Sequence, residues 1–481
     1  MLRIMCTFMA IMLLGGCASS QVTAKVVSEM PARGEDGVLS VQVYPDNVIC
    51  RNFMGFGAEW DSNDYDASGV TGADFEVIGK RVAWMRLPIA RVMMQSKWCY
   101  KGNGQYDWNA PQMKALYRQL DVCQKLGTAV VLTDWGIEPP RLRTIDVTRV
   151  EDPRYAEIVA NYMDYLLNTK GYTCITYFIL VNEPNYEVRD WNRWKTGVQQ
   201  VSAAMHRKGL DGKVTILGSD HSNADDWHRN AVDQLQKFLG GYDIHRYASQ
   251  DEVRRGALLD YFKANWSYAL TRDPAGKDKP LIVGEAGFGT SGSSYKNNPI
   301  NRDPSYGVLM SDFAVQSANA GSWAVLAWML DDNSHLGFNW GMWSSSSAGL
   351  ATKPWFYPWA LLSRYFRPGS SIVQSSLTSK DLRVLAAHGG GTFPLQERSW
   401  SFCIVNRAAT PKRIRLLVQG GPRLKLDRYL YSNSSAKVDT DGFPAPSGTV
   451  SGDLGAGIEL SCEANSVIIL TSDSDTGAVL K

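Results

Sequence analysis

The chain has 481 residues, of which 44% are hydrophobic and 20% charged, and its formal net charge is +2 at pH 7. This length suits one large domain with a smaller one, and the near-neutral charge gives no reason to expect nucleic acid or another polyanion as a partner. The 16 Trp and 21 Tyr residues can supply stacking surfaces for flat ligands, although most large aromatic side chains fill protein cores.

The first residues resemble an export signal. Arg3 precedes an apolar run from Ile4 to Leu14, which is too short to span a bilayer. The sequence LGGC at 14–17 resembles a bacterial lipobox, and this resemblance implies cleavage before Cys17 and diacylation of its thiol. We therefore expect a signal peptide at 1–16, a flexible tether at 17–37 and a lipid anchor in the outer membrane or at the cell surface. The alternative is an ordinary secretory signal that contains a chance cysteine.

The remaining cysteines bear on disulfides and metals. Export permits disulfide bonds, and the sequence leaves open whether Cys403 pairs with Cys462. The sequence contains no CxxC and no His/Cys ligand spacing, which argues against zinc. We expect neither a metal nor an organic cofactor.

Short apolar runs alternate with helical patterns between residues 51 and 366. Helical stripes occur at 154–171, where Gly171 is a stop signal, and at 190–209. Eight strands alternating with helices predict a closed (β/α)8 barrel. The alternative is an open doubly wound sheet, but no GxGxxG motif opens a helix after the first strand. The predicted strands are NFMGFGAEW (52–60), RVAWMRLPI (81–89), TAVVLTDW (128–135), CITYFILVNE (174–183), KVTILGSD (213–220), YDIHRY (242–247), KPLIVGEAG (279–287) and GSWAVLAWML (321–330).

The pattern changes after residue 366. The segments 399–405 and 412–418 alternate with a period of two residues, and 465–473 closes the region. We predict an antiparallel β-sandwich at 367–475. The strand-like segment at 38–50 precedes the barrel and is expected to join this sandwich, although nothing in its sequence requires that pairing.

Polar side chains stand at the carboxyl ends of the predicted barrel strands, where barrel enzymes place their active sites. Strands 4 and 7 each run from a buried apolar stretch straight into a carboxylate, Glu183 and Glu285. These two strands lie across the barrel mouth, so the carboxyl groups can face one cleft, as glycoside hydrolysis requires. The other candidates at strand ends are Arg86, Trp135, Asn182, His245, Tyr247 and Trp328.

Asn182-Glu183-Pro184 after strand 4 and Glu285 after strand 7 resemble clan A of the glycoside hydrolases, which are retaining (β/α)8 enzymes. The resemblance implies that Glu183 is the acid/base and Glu285 the nucleophile. It further implies that Asn182 binds the sugar 2-hydroxyl and that Trp328 forms the floor of the cleavage site. Arg86 and Tyr247 match positions that hold the nucleophile ionised and oriented.

Segments of the sequence resemble two different families within the clan. The segments MRLPI and VGEAGFG are similar to family 5, whereas GFGAEW, TDWGIEPP and the trailing sandwich are more similar to family 30. The resemblance implies a retaining β-glycosidase that acts on a poly- or oligosaccharide, and we expect a monomer. The sequence names neither the sugar nor the linkage, nor endo or exo action.

Other interpretations of these residues remain open. Arg86 can be a structural ion-pair residue, and His245 a buried core histidine. Trp340 and Trp343, in the long segment after strand 8, can stack on sugar rings or form a hydrophobic cluster. At the level of the whole protein, the alternatives are a non-catalytic glycan-binding lipoprotein and a structural lipoprotein of the cell envelope.

Overall fold

The computed structural model describes residues 37–61, 65, 69–289, 296–377, 379–389, 399–433 and 436–473. The expected signal peptide, nearly all of the tether and Cys17 therefore lie outside the described residues. Within the described ranges, none of the helices combines the length and the hydropathy that crossing a membrane requires.

The strands are numbered in chain order. In the first part of the chain they are β1 (Leu39–Phe53), β2 (Gly55–Trp60), β3 (Ile89–Met94), β4 (Tyr100–Gly102), β5 (Gln105–Tyr106), β6 (Ala129–Asp134), β7 (Ile175–Leu180), β8 (Thr215–Ser222), β9 (Gly241–Ala248), β10 (Leu281–Phe288) and β11 (Ala324–Ala327). The later strands are β12 (Ser370–Leu377), β13 (Leu382–Gly389), β14 (Trp400–Asn406), β15 (Lys412–Val418), β16 (Arg423–Ser432), β17 (Gly448–Asp453), β18 (Ile458–Cys462) and β19 (Ser466–Thr471).

The described α-helices are α1 (Gly72–Met85), α2 (Pro111–Leu126), α3 (Pro153–Asp164), α4 (Pro184–Glu187), α5 (Trp191–Arg207), α6 (Asp225–Leu235), α7 (Gln250–Arg255), α8 (Ala257–Arg272), α9 (Pro304–Asn319) and α10 (Phe356–Tyr365). Their ends follow ordinary capping chemistry. Asp152 caps α3 and is followed by proline at the first helical position, while Gly127 ends α2 in the left-handed conformation.

Eight parallel strands close the predicted barrel. Their order is β2-β3-β6-β7-β8-β9-β10-β11, and β11 pairs with β2. Inward-pointing side chains of the strands fill the interior, so the barrel is a packed core. The buried residues of this core are Ile89, Val131, Ile179, Leu217, Ile282, Ala324 and Leu326.

The second barrel strand differs from its prediction at 81–89. Residues 81–85 form the last turn of α1, and β3 begins only at Ile89. The helix is set by a capping box between Thr71 and Asp74, and its buried face carries Ile78, Val82 and Met85 at helical spacing. The apolar residues at 82–85 therefore belong to a helix face, and the prediction of a strand there was wrong.

The C-terminal region and β1 together form one largely antiparallel sheet. Buried apolar residues from its strands pack into a single core cluster. The strand order is β17-β16-β19-β14-β13-β12-β1-β15-β18. Strand β1 inserts between β12 and β15, antiparallel to the first and parallel to the second. Cys403 and Cys462 lie on β14 and β18, and both are buried free thiols.

Helix α9 joins the barrel to the sheet. Its residues from Tyr306 to Ala318 are all buried, including the polar residues Ser311, Asp312, Gln316 and Ser317. Its buried Asp312 forms an ion pair with Arg407 of the sheet domain, with 2.7 Å between Arg407 Nε and Asp312 Oδ2. The sheet is therefore tied to the barrel by buried contacts.

Candidate active site

The carboxyl ends of the barrel strands surround a cavity of about 540 Å³. Glu285 lies in β10, His245 and Tyr247 lie in β9, and Asn182 and Glu183 directly follow β7. The remaining wall comes from loops above the strands. The lining residues are Trp135, Arg141, Asn182, Glu183, Glu187, Ser222, Tyr247, Glu285, Gly289, Lys296, Trp328, Leu336, Phe338 and Trp340.

The backbone turns sharply where it presents Glu183. Val181 and Glu183 both have positive φ angles, 72° and 43°, a region that a β-branched residue such as valine rarely adopts. Two hydrogen bonds hold the turn. The N–H of Val181 donates to the carbonyl of Asp134 over 3.0 Å, and the N–H of Glu183 donates to Asp220 Oδ2 over 3.0 Å. The proline that follows, Pro184, begins the short helix α4.

Glu285 is buried and held from two sides. Arg91 Nη1 donates to one carboxylate oxygen over 2.5 Å, and the hydroxyl of Tyr247 donates to the other over 2.5 Å. Burial raises the pKa of Glu285, while His245 and Arg91 act in the opposite direction. The donors therefore favour the ionised carboxylate in a site whose burial disfavours it.

Arg91, not Arg86, is the arginine of this site. Its guanidinium also donates to Asn182 Oδ1 over 2.8 Å and to Asp220 Oδ2 over 3.0 Å. Arg86 ends α1 as its left-handed C-cap residue, before β3 begins and so at the opposite face of the barrel. Assigning Arg86 to the site was wrong because the strand was placed too early in the sequence. A charged residue inside the apolar run IARVMM was the signal that marked Arg91.

His245 lies between the two glutamates. Its Nδ1 is 3.0 Å from Glu183 Oε1 and 3.5 Å from Glu285 Oε2, and its Nε2 is 2.9 Å from Asp220 Oδ1. Burial alone would lower the pKa of His245, but Asp220 and Glu285 raise it well above its usual value. His245 is therefore a polar member of the site and not an isolated core histidine.

Asp220 connects these groups from the floor of the site, although no sequence pattern marks it as a site residue. It accepts hydrogen bonds from Arg91, His245 and the backbone of Glu183. Burial raises the pKa of Asp220, but Arg91 and His245 outweigh it and lower the pKa below the usual value. A buried ionised aspartate thus fixes a histidine and an arginine relative to Glu183.

Two further carboxyl groups are buried below the mouth. Burial and then the charge of Asp220 raise the pKa of Asp243 well above its usual value. Its oxygens would lie 2.4 Å from a side chain at position 284, so only glycine fits directly before Glu285. Glu59 has no hydrogen-bond partner for either carboxylate oxygen among the described residues. Burial, followed by Asp61 and Glu285, raises the pKa of Glu59 well above its usual value.

Aromatic side chains form the upper walls of the cavity. Trp135 and Trp328, both expected from the sequence, line it together with Phe338 and Trp340 of the segment that follows β11. Trp343 of the same segment is fully buried in the core between the barrel and its helices, so it belongs to the hydrophobic cluster. Of the two tryptophans whose role was left open, only Trp340 reaches the cavity.

In the part of the chain that the structure describes, two sets of side chains have metal-binding spacing. Glu183, His245 and Glu285 form one, and Asp220, Asp243 and His245 form the other. Glu285 and Asp220 accept hydrogen bonds from Arg91, Glu285 also accepts from Tyr247, and His245 contacts Glu183 and Asp220. Neither carboxylate oxygen of Asp243 has a hydrogen-bond partner among the described residues.

Comparison by sequence finds no relative: no family model and no curated protein matches the chain. Comparison by structure finds many solved protein chains with a similar fold. A glycoside hydrolase family 30 endoxylanase from Clostridium papyrosolvens C71 superposes with a TM-score of 0.61 at 15% identity, covering 90% of this chain and 100% of the enzyme. A monomeric β-xylosidase from Caulobacter crescentus CB15 gives 0.62 at 12% identity, over 90% and 99%.

A conserved exported protein from Bacteroides fragilis gives a TM-score of 0.69 at 11% identity, covering 90% of this chain and 100% of that protein. The chain therefore shares the fold of these three structures over 90% of its length, which includes both the barrel and the sheet domain. At these identities the likeness establishes the fold.

Proposed function

We propose that this protein is a retaining β-glycoside hydrolase that cleaves poly- or oligosaccharides by double displacement. One observation carries the proposal: a carboxylate oxygen of Glu183 and one of Glu285 lie within 4.8 Å of each other. Retaining enzymes separate their two carboxyl groups by about 5–5.5 Å, whereas inverting enzymes need about 6.5–9.5 Å to admit a water molecule. The short separation favours direct attack on the sugar.

The environment of each glutamate supports a distinct role. Glu285, fixed by Arg91 and Tyr247, attacks the anomeric carbon and forms a glycosyl ester while the bond to the leaving oxygen breaks. Glu183 gives its proton to that oxygen. In the second step Glu183 takes a proton from water, the water oxygen attacks the anomeric carbon, and Glu285 leaves as a carboxylate.

Neighbouring side chains complete the assignment. Asn182 uses its amide oxygen to accept from Arg91, which leaves its amide nitrogen for the sugar 2-hydroxyl. Trp328 and Trp135 provide apolar surface for sugar rings in the cavity. Because two of the structural neighbours are an endoxylanase and a β-xylosidase, β-linked xylo-oligosaccharides are the first substrates to test, followed by β-linked gluco-oligosaccharides.

The test is a screen of the purified protein against β-linked glycans and 4-nitrophenyl β-glycosides, with product sizes measured by chromatography. Hydrolysis of at least one class is expected, and Glu285→Gln should abolish turnover while glycan binding persists, since an amide cannot form the ester. Glu183→Gln should impair unactivated substrates most, because a nitrophenyl leaving group needs little protonation.

The rival function predicts a different outcome of the same screen. A non-catalytic glycan-binding protein would bind one of these glycans without hydrolysing any, and Glu285→Gln would change nothing. A structural lipoprotein would do neither. Either result from wild-type protein contradicts the proposed function.

A further inference from the structure

A second cavity, of about 400 Å³, adjoins the active-site cavity. Arg141 and Glu187 line both cavities, so the two are contiguous. The second cavity contains none of the groups assigned to bond cleavage. Its walls are Glu138, Pro139, Pro140, Arg141, Tyr186, Glu187 and Arg189.

The position of this cavity relative to Glu183 indicates which part of a substrate it would meet. The N–H groups of Tyr186 and Glu187 both donate to the carbonyl of Glu183, over 2.8 and 3.0 Å. These residues therefore lie within one turn of the proposed acid/base. Since the acid/base protonates the leaving oxygen, the sugars released with that oxygen lie on its side of the cleft.

The side chains of the second cavity suit a sugar. Tyr186 is 51% exposed, which makes it one of the few large apolar side chains left open to solvent among the described residues. An exposed aromatic ring can stack on the C–H face of a sugar ring, while charged groups beside it bind hydroxyls. Two arginines and two glutamates line the cavity, and this balance of charge favours a neutral sugar over an acidic one.

Hydrogen bonds and an ion pair fix the walls of the second cavity before any ligand binds. Arg189 Nε donates to the carbonyl of Tyr186 over 2.8 Å. Arg141 pairs with Glu187 over 3.1 Å and lies over the ring of Trp135, with 5.9 Å between the guanidinium carbon and the ring centroid. The Arg141–Glu187 pair thus forms the shared wall, with the two cavities on either side of it. Preorganised groups of this kind reduce the entropy lost on binding.

We infer that the second cavity is a distal leaving-group subsite that binds a neutral sugar unit of a β-linked chain, with Tyr186 as its stacking surface. This inference rests on the proposed function. It places the sugar beyond the unit directly bonded to the cleaved oxygen, because the Arg141–Glu187 wall separates the second cavity from Glu285. The enzyme then favours chains that extend past the cleavage point over short glycosides.

The experiment compares Tyr186→Ala with wild type on β-linked oligosaccharides of two to six units, drawn from the xylo- or gluco-series, and on the 4-nitrophenyl β-glycoside of the same sugar. Stacking on an aromatic ring contributes about 0.5–1.5 kcal/mol. We expect kcat/KM for the hexasaccharide to fall roughly 2- to 13-fold, as that free energy implies. The nitrophenyl glycoside should change by less than about twofold, because its leaving group ends before the second cavity.

Tyr268→Ala is the matched control. Tyr268 lies on α8, and its hydroxyl donates to Asp233 on the outer surface of the barrel. This variant loses a surface tyrosine without touching either cavity and should leave both substrates unaffected. Equal thermal midpoints for Tyr186→Ala and wild type would show that the exposed ring is not needed for folding.

Three results would overturn the subsite: unchanged hexasaccharide kinetics in Tyr186→Ala, an equal loss on both substrates, or a wild-type kcat/KM that does not rise with chain length. If wild type hydrolyses no glycoside, the proposed function fails, and the subsite is then judged by calorimetric binding of the hexasaccharides. Roughly 2- to 13-fold weaker binding to Tyr186→Ala supports it, whereas equal or absent binding contradicts it.

Discussion

Arg91 is the residue on which the candidate site depends most. Its Nη1 donates to Glu285, and its Nη2 donates to both Asn182 and Asp220, all within 3.0 Å. A planar fork can hold three acceptors in fixed positions, whereas the single ammonium of lysine cannot. The nucleophile, the sugar-binding amide and the buried aspartate are therefore aligned by one side chain.

Exchanging arginine for lysine at positions 91 and 86 tests this alignment. Arg91→Lys keeps the charge but loses the fork, and we expect kcat/KM to fall by about 100-fold or more, since misplaced catalytic groups cost that much. Arg86→Lys is the control, because Arg86 caps α1 at the other face of the barrel. Comparable activity losses in the two variants, measured with thermal midpoints, would contradict the assignment of Arg91.

The hydroxyl of Tyr247 gives a prediction about pH. It donates to Glu285, and removing a hydrogen bond to the ionised form raises the pKa of that carboxyl. The nucleophile must be ionised, so in Tyr247→Phe the acidic limb of the pH profile of kcat/KM should move to higher pH. An acidic limb that stays in place or moves to lower pH would be inconsistent with this role.

Tyr242→Phe is the control for that measurement. Tyr242 lies on the same strand, and its hydroxyl donates to Asp273 over 2.6 Å, far from the barrel mouth. Losing this tyrosine–carboxylate bond should leave the pH profile unchanged. A shift in both variants would indicate a general effect on the fold.

The residues of the site differ in how far the sequence predicted them. Glu183 and Glu285 were predictable because each ends a buried apolar run, where an unpaired carboxylate would be costly. Arg91 was missed because residues 82–85, which lie on a helix face, also fit a strand pattern, and this placed β3 too early. Asp220 was missed because its role depends on contacts with β3, β7 and β9 that only the folded barrel creates.

At the scale of elements, the sheet domain and helix α9 form one buried contact. Besides the Asp312–Arg407 pair, the hydroxyl of Tyr431 donates to the carbonyl of Pro304 over 2.7 Å. The sheet also contacts α10, where the hydroxyl of Ser401 donates to the carbonyl of Tyr365 over 2.8 Å. A helix that is buried all round has no polar face to present to water if its partner is removed.

Truncation tests the dependence of the barrel on the sheet. A chain that ends near residue 368 would expose the apolar residues of α9 and leave Asp312 without Arg407, and it would leave β1 without both of its partner strands. We expect insoluble protein. A soluble and fully active truncated barrel, judged by size-exclusion chromatography and glycoside turnover, would show instead that the sheet is an independent module.

The alternation of apolar runs and helical stripes predicted the barrel, because parallel strands and crossover helices have different periods. The place of β1 was less secure in the sequence. Its pairing joins residues more than 300 positions apart, such as Val41 and Leu377, and no local pattern specifies a partner at that distance. The predicted boundary between α1 and β3 was wrong where a short link that contains Leu87 and Pro88 joins the helix to the strand.

At the scale of the whole molecule, we propose that the chain is held on the cell envelope through a diacylated Cys17. Two acyl chains are needed for stable anchoring. Wild-type protein should therefore partition with membranes, and Cys17→Ser should be released or left unprocessed, as measured by fractionation and mass spectrometry. Wild-type protein found wholly soluble in the medium would contradict the anchor.

The central claim is that Glu285 attacks the anomeric carbon directly while Glu183 acts as the general acid and then the general base. A direct attack inverts the anomeric carbon once in each of two steps, so the β-configuration is retained overall. The most direct measurement is ¹H NMR of the anomeric protons during the first minutes of hydrolysis of a β-glycoside, before mutarotation mixes the products. The account predicts that the β-anomer appears first and the α-anomer grows in later, whereas an initial α-product would contradict it.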